Sequence, residues 1–74
     1  MAYDYNKLKG KIIEKFGSQL EFAKAMNWSE RTTTLKLNSK VYWKQPEINK
    51  AMKLLQIPND ELQIYFFTQV VQKN

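Results

Sequence analysis

Apolar residues recur at helical spacing through most of the chain, and each run ends in a residue that breaks helices. Tyr5, Leu8, Ile12 and Phe16 share one face of a first segment, about Tyr5 to Phe16, while Lys7, Lys9, Lys11 and Lys15 point elsewhere. Asp4 is placed to cap this helix and Gly17 to end it in the left-handed conformation. Gly10 interrupts the pattern at a cost of roughly 1 kcal/mol against alanine, and marks a candidate close helix contact. A second helix begins at Ser18, because Ser-x-x-Glu to Glu21 is a capping box. Phe22, Ala23 and Met26 form its inward face, and Asn27, which tolerates the left-handed conformation, ends it.

Ser29 can cap a third helix, Ser29 to about Asn38, in which Leu35 and Leu37 are the only large apolar side chains beside three consecutive threonines. A helix so poor in apolar residues packs on one side and presents a polar face on the other. Asn38-Ser39-Lys40 is a turn and Val41-Tyr42-Trp43 a short extended link. A fourth helix covers about Gln45 to Gln56, with Pro46 in its first turn and Ile48, Ala51, Met52 and Leu55 inward. Pro58 breaks the chain, and Asn59 or Asp60 can cap a fifth helix through Leu62, Tyr65 and Phe66. After Phe67 the pattern is ambiguous. Thr68, Val70 and Val71 favour a strand, with no obvious partner strand in the chain.

At 74 residues the chain holds one domain, spanning 1–74, with one small core. There is no cysteine for a disulfide, thiolate site or nucleophile, and no histidine to titrate near neutrality. Seven scattered carboxylates include one adjacent pair, Asp60-Glu61, which capping explains, so neither an enzyme nor a metal or cofactor site is expected. No apolar run has the length of a signal sequence or a membrane span, which points to the cytoplasm rather than a membrane. The net charge of +5 is unevenly placed. Residues 1–30 carry +1 and residues 54–74 carry −1, whereas residues 31–53 hold six bases against the single acid Glu47. A basic middle third calls for an anionic partner unless it is a solvated lysine face.

Two short helices joined by a tight turn, the second polar and basic, describe a helix-turn-helix at about 18–38. The second helix of such a motif enters a major groove about 12 Å wide, and the residues near its N-terminus meet base edges. Gly17-Ser18-Gln19, Phe22-Ala23, Ser29-Glu30-Arg31-Thr32 and Leu37-Asn38-Ser39-Lys40, with Ile48 and Leu54-Leu55-Gln56-Ile57 after them, resemble the phage Cro/CI-type repressors. With Tyr3-Asp4-Tyr5 in front and Tyr65-Phe66-Phe67 behind, the longer pattern is similar to a subgroup of small regulators from phages of Gram-positive bacteria.

The resemblance implies an all-α, five-helix, lambda-repressor-like domain acting in a lysis–lysogeny switch, as a Cro-like repressor or as a modulator of the main repressor. Carried over by position, Gln19 touches phosphate or a base edge, and Ser29, Glu30, Arg31, Thr32 and Thr34 line the recognition helix. Arg31 is the strongest candidate base reader, since its fork fits guanine O6 and N7. Asn38 and Lys40 match the loop that grips phosphate; Lys36 and Lys44 join the set on charge alone. The sequence departs from the family at Asn27, where glycine is usual, and at Thr33, where an aliphatic residue is usual. Leu35 lies near the DNA face, where it reads only methyl groups, and Glu30 repels phosphate unless it accepts from a cytosine amine.

Two functions follow. The first is a sequence-specific repressor bound to a double-stranded operator, as a homodimer whose most plausible contact is the apolar segment Phe67 to Val71. The alternative is an antirepressor that binds the co-encoded CI-type repressor and blocks its DNA binding, with Glu30, Leu35 and Trp28 at the interface. Trp28, Trp43 and Tyr65-Phe66-Phe67 are expected in the core, on its rim or at an oligomer contact rather than stacked on bases.

Overall fold

The computed structural model describes residues 3–69, which form five α-helices and one 3-10 turn, with no strand among the described residues. The order is α1 (Asn6–Phe16), α2 (Gln19–Met26), α3 (Glu30–Leu37), α4 (Gln45–Leu55), the 3-10 turn (Asn59–Glu61) and α5 (Leu62–Phe66). Helix α1 packs on α2, α4 and α5, and α2 packs on α3 and α4. No helix of the described residues is long and apolar enough to cross a membrane.

Local chemistry sets the boundaries. Ser18 Oγ accepts the Glu21 amide at 3.2 Å and Ser29 Oγ the Thr32 amide at 3.1 Å, so both short helices start on hydroxyl caps. Gly17, Asn27 and Gln56 end α1, α2 and α4 in the left-handed conformation, at φ of 84°, 63° and 56°. Helix α1 starts one residue later than the pattern suggests: Asp4 Oδ1 accepts the Asn6 amide at 2.8 Å, and Tyr5 is the flanking residue. Gly10 is exposed, and nothing lies within 4 Å of where its Cβ would be, so it marks no helix contact. Neither Asn59 nor Asp60 caps α5 with a side chain; the 3-10 turn after Pro58 leads the chain directly into it.

The core collects one stripe from each helix. Tyr5, Leu8 and Ile12 meet Phe22 and Met26, then Leu37, Ile48, Ala51, Met52, Leu55, Ile57 and Phe66. Aromatic rings run through it: Phe16 against Phe22, Phe22 against Trp28, Trp28 against Trp43, and Trp43 against Phe66, with centroids 5.2–6.3 Å apart. Both tryptophans are thus spent on the rim of the core, as expected from their size. Phe66 is buried, Tyr65 half-buried, and Phe67 lies edge-on to Tyr3 at 5.5 Å.

The segment after α5 does find a partner, contrary to the sequence expectation. Tyr3 and Gln69 form an isolated antiparallel bridge, and the Asp4 amide donates to the Thr68 carbonyl at 2.7 Å. The start of the chain supplies the pairing that the apolar pattern alone does not reveal. Val70 and Val71, part of the expected dimer contact, lie outside the described residues.

Candidate functional site

Helices α2 and α3 are joined by Asn27, Trp28 and Ser29. The bend is fixed by the left-handed Asn27, whose amide returns to Ala23 and Lys24, and by the Trp28 amide, which donates to Ala23 at 2.9 Å. Helix α3 is seated by Thr33, Lys36 and Leu37, all buried, at the i, i+3, i+4 spacing of one helical face. Thr33 Oγ1 donates to the Ser29 carbonyl at 3.0 Å, so the buried threonine does not strand its hydroxyl.

The outer side of α3 holds some of the predicted contact residues free and engages others. Glu30 and Arg31 are exposed, as are Lys40 and Lys44, and none of the four is ion-paired among the described residues. Gln19 Nε2 donates to Thr34 Oγ1 at 2.8 Å and ties α2 to α3. Ser29 Oγ donates to Thr32 Oγ1 at 2.9 Å while it caps the helix, and Thr32 is half-buried. Asn38 Oδ1 accepts from Lys9 Nζ at 3.1 Å, which brings a lysine of α1 to the end of α3. Gln19, Ser29, Thr32, Thr34 and Asn38 therefore each have an internal partner that a ligand would have to share or displace.

Lys36 corrects the sequence expectation. It is 5% exposed, not on the outer face. Its ammonium donates to Glu47 Oε1 at 2.8 Å and to the Tyr42 carbonyl at 3.2 Å, and lies 5.2 Å from the centre of the Trp28 ring. Charge alone suggested an outer lysine; its spacing from Thr33 and from the core residue Leu37 was the signal for an inner one. Glu47 also accepts the Lys44 amide at 2.8 Å. Burial alone would raise the Glu47 carboxyl, but the hydrogen bonds from Lys36 and the Lys44 amide and the charges of both lysines outweigh it and hold the group below the usual carboxylate range. The one acid of the basic third is thereby consumed internally. Every exposed charge from Arg31 to Lys53 is positive: Arg31, Lys40, Lys44, Lys50 and Lys53.

Tyr42, absent from the predicted contact residues, is 79% exposed, with Val41 next in the chain at 41%. Leu35 is half-buried, and Trp28 is partly covered by Phe22, Trp43 and Lys36. The pattern gave Tyr42 no special place because a short link has no periodicity from which to assign a face.

The family described as "Protein of unknown function (DUF739)" matches residues 1–69. The solution structure of the modulator of repression (MOR) of the temperate bacteriophage TP901-1 from Lactococcus lactis is 51% identical, with a TM-score of 0.80. That match covers 96% of this chain and 97% of the other. No curated protein matches significantly. With a family match over residues 1–69 and a shared fold along nearly its whole length, the chain belongs to the DUF739 family and is a homologue of a temperate phage's modulator of repression.

Proposed function

We propose that this protein is a modulator of repression in a phage lysis–lysogeny switch, acting as an antirepressor that binds the co-encoded CI-type repressor and keeps it from its operator. The observation that carries this reading is the 51% identity to a modulator of repression over 96% of the chain. The outer face of α3 supports it. With Lys36 withdrawn into the protein, and Gln19 and Thr34 hydrogen-bonded to each other, few of the predicted groups are free to meet a base or phosphate. Glu30 stands exposed at the start of the helix, where it would oppose a phosphate.

A second reading, direct operator binding as a Cro-like helix-turn-helix repressor, is favoured by the exposed Arg31 and by the surplus of exposed cations from Arg31 to Lys53. In that role one copy would make few base contacts, so a homodimer on a two-fold operator is part of the same reading. Gel filtration and calorimetry of the chain with the purified co-encoded repressor, beside mobility-shift assays on the switch-region DNA, separate the two. Antirepressor action predicts a stoichiometric protein complex and release of the repressor from its operator. Operator retardation by this chain alone, with no effect on the repressor, would overturn it in favour of the second reading.

A further inference from the structure

Between α3 and α4 the chain follows a path in which the backbone is held at nearly every step. The Lys40 and Val41 amides donate to the Leu35 carbonyl at 2.8 and 3.3 Å. The Tyr42 carbonyl accepts from the buried Lys36 ammonium at 3.2 Å, and the Trp43 indole N–H donates to the Lys36 carbonyl at 3.2 Å. The Trp43 ring packs against Trp28, Phe66 and Tyr5, and the Lys44 amide ends the segment on Glu47 at 2.8 Å. A buried ion pair is costly in desolvation, and here it fixes the course of a surface loop.

On this fixed backbone Tyr42 is the most open large hydrophobic side chain among the described residues, and Val41, the residue before it, is exposed as well. A tyrosine on ordered backbone has only two side-chain torsions to lose, so seating its ring in a partner carries a small entropic penalty. Tyrosine is also among the residues that carry most of the energy of protein interfaces. Lys40 and Lys44 flank it, both exposed and without an ion pair, and no exposed acid lies between Arg31 and Lys53. A phosphate backbone would accept the lysines but offers Val41 and Tyr42 no apolar surface. A protein face with a pocket among carboxylates satisfies both.

We infer that residues 40–44 are a preformed docking anchor for the acidic face of a partner protein. The Tyr42 ring enters an apolar pocket, and Lys40 and Lys44 pair with carboxylates at its rim. The inference rests on the reading that the chain acts by binding the co-encoded repressor, and it names the face that does so.

The test is calorimetry of the full chain against that purified repressor, for wild type, Tyr42→Ala and the double variant Lys40→Glu/Lys44→Glu, with thermal melts to show that all three fold. Tyr42→Ala is expected to weaken binding about 30-fold or more with an unchanged melt, the scale of an interface hot spot. The double reversal is expected to weaken it by about 10-fold and to abolish the loss of affinity that added salt causes in wild type. Wild-type binding that Tyr42→Ala leaves intact overturns this inference and spares the proposed function. Tighter binding by the double reversal overturns it too, because the partner face would be basic. If Tyr42→Ala impairs retardation of DNA but not repressor binding, the loop serves nucleic acid and the inference fails. Failure of the wild-type chain to bind the repressor at all removes both the proposed function and this anchor.

Discussion

Removing the Lys36 ammonium would leave the Glu47 carboxylate, whose side chain is 21% exposed, with the Lys44 amide as its remaining donor. Breaking a buried pair on one side typically costs about 3–5 kcal/mol, and the partial exposure of Glu47 lowers that range. Lys36→Met, which keeps most of the volume, is therefore expected to cost about 2–3 kcal/mol, read from the urea midpoint at neutral pH. The same pair gives stability a pH dependence. Because the folded carboxyl sits below its unfolded value of about 4.3, its contribution is complete above that value and is lost as the pH falls through the folded one. Urea midpoints of wild type and Glu47→Gln should thus lie furthest apart near neutrality and converge in acid. A constant gap down to about pH 3 would show that Glu47 gains nothing from its ionised form.

At the scale of elements, the caps are where sequence and structure agree most closely. Ser18 and Ser29 were readable because a hydroxyl ahead of a helix has one dominant use, and both are bonded to the amide three residues on. Asn27 stopped α2 as expected, at φ 63°. Asn27→Ala should cost about 1 kcal/mol in a thermal melt, since alanine lacks asparagine's tolerance of that conformation, whereas Asn27→Gly should cost nothing measurable. The inward stripes of α1, α2 and α4 were equally readable, because long periodic runs leave one choice of face. Helix α3 was not. Its inner face is Thr33, Lys36 and Leu37, two of them polar, and only the tertiary partners Glu47 and the Tyr42 carbonyl make a buried lysine tolerable. Of the candidate site, Ser29, Glu30, Arg31, Thr34, Asn38, Lys40 and Lys44 are exposed, Gln19 and Thr32 are half-buried, and Lys36 is buried.

At the scale of the molecule, one small core must hold every element, and Phe66 is the buried side chain of α5, the shortest helix, with Leu62 and Tyr65 packed more openly beside it. The Phe66 side chain is 1% exposed and packs against Trp43 at 5.2 Å. Phe66→Ala should cost about 3–5 kcal/mol by cavity formation, against a total stability that for domains is about 5–15 kcal/mol and for one this small lies toward the lower end. Circular dichroism should show this variant substantially unfolded at body temperature, while Phe67→Ala, at an edge position, should fold.

The pairing of Tyr3 with Gln69 is joined by a further bond: the Tyr3 amide donates to Ser39 Oγ at 3.0 Å, immediately beyond α3. Anything fused ahead of Tyr3 emerges beside that hydroxyl, one residue from Lys40 and three from Tyr42. An affinity handle attached there would crowd Lys40 and Tyr42, so repressor binding measured by calorimetry is expected to be weaker with the handle attached than after its removal.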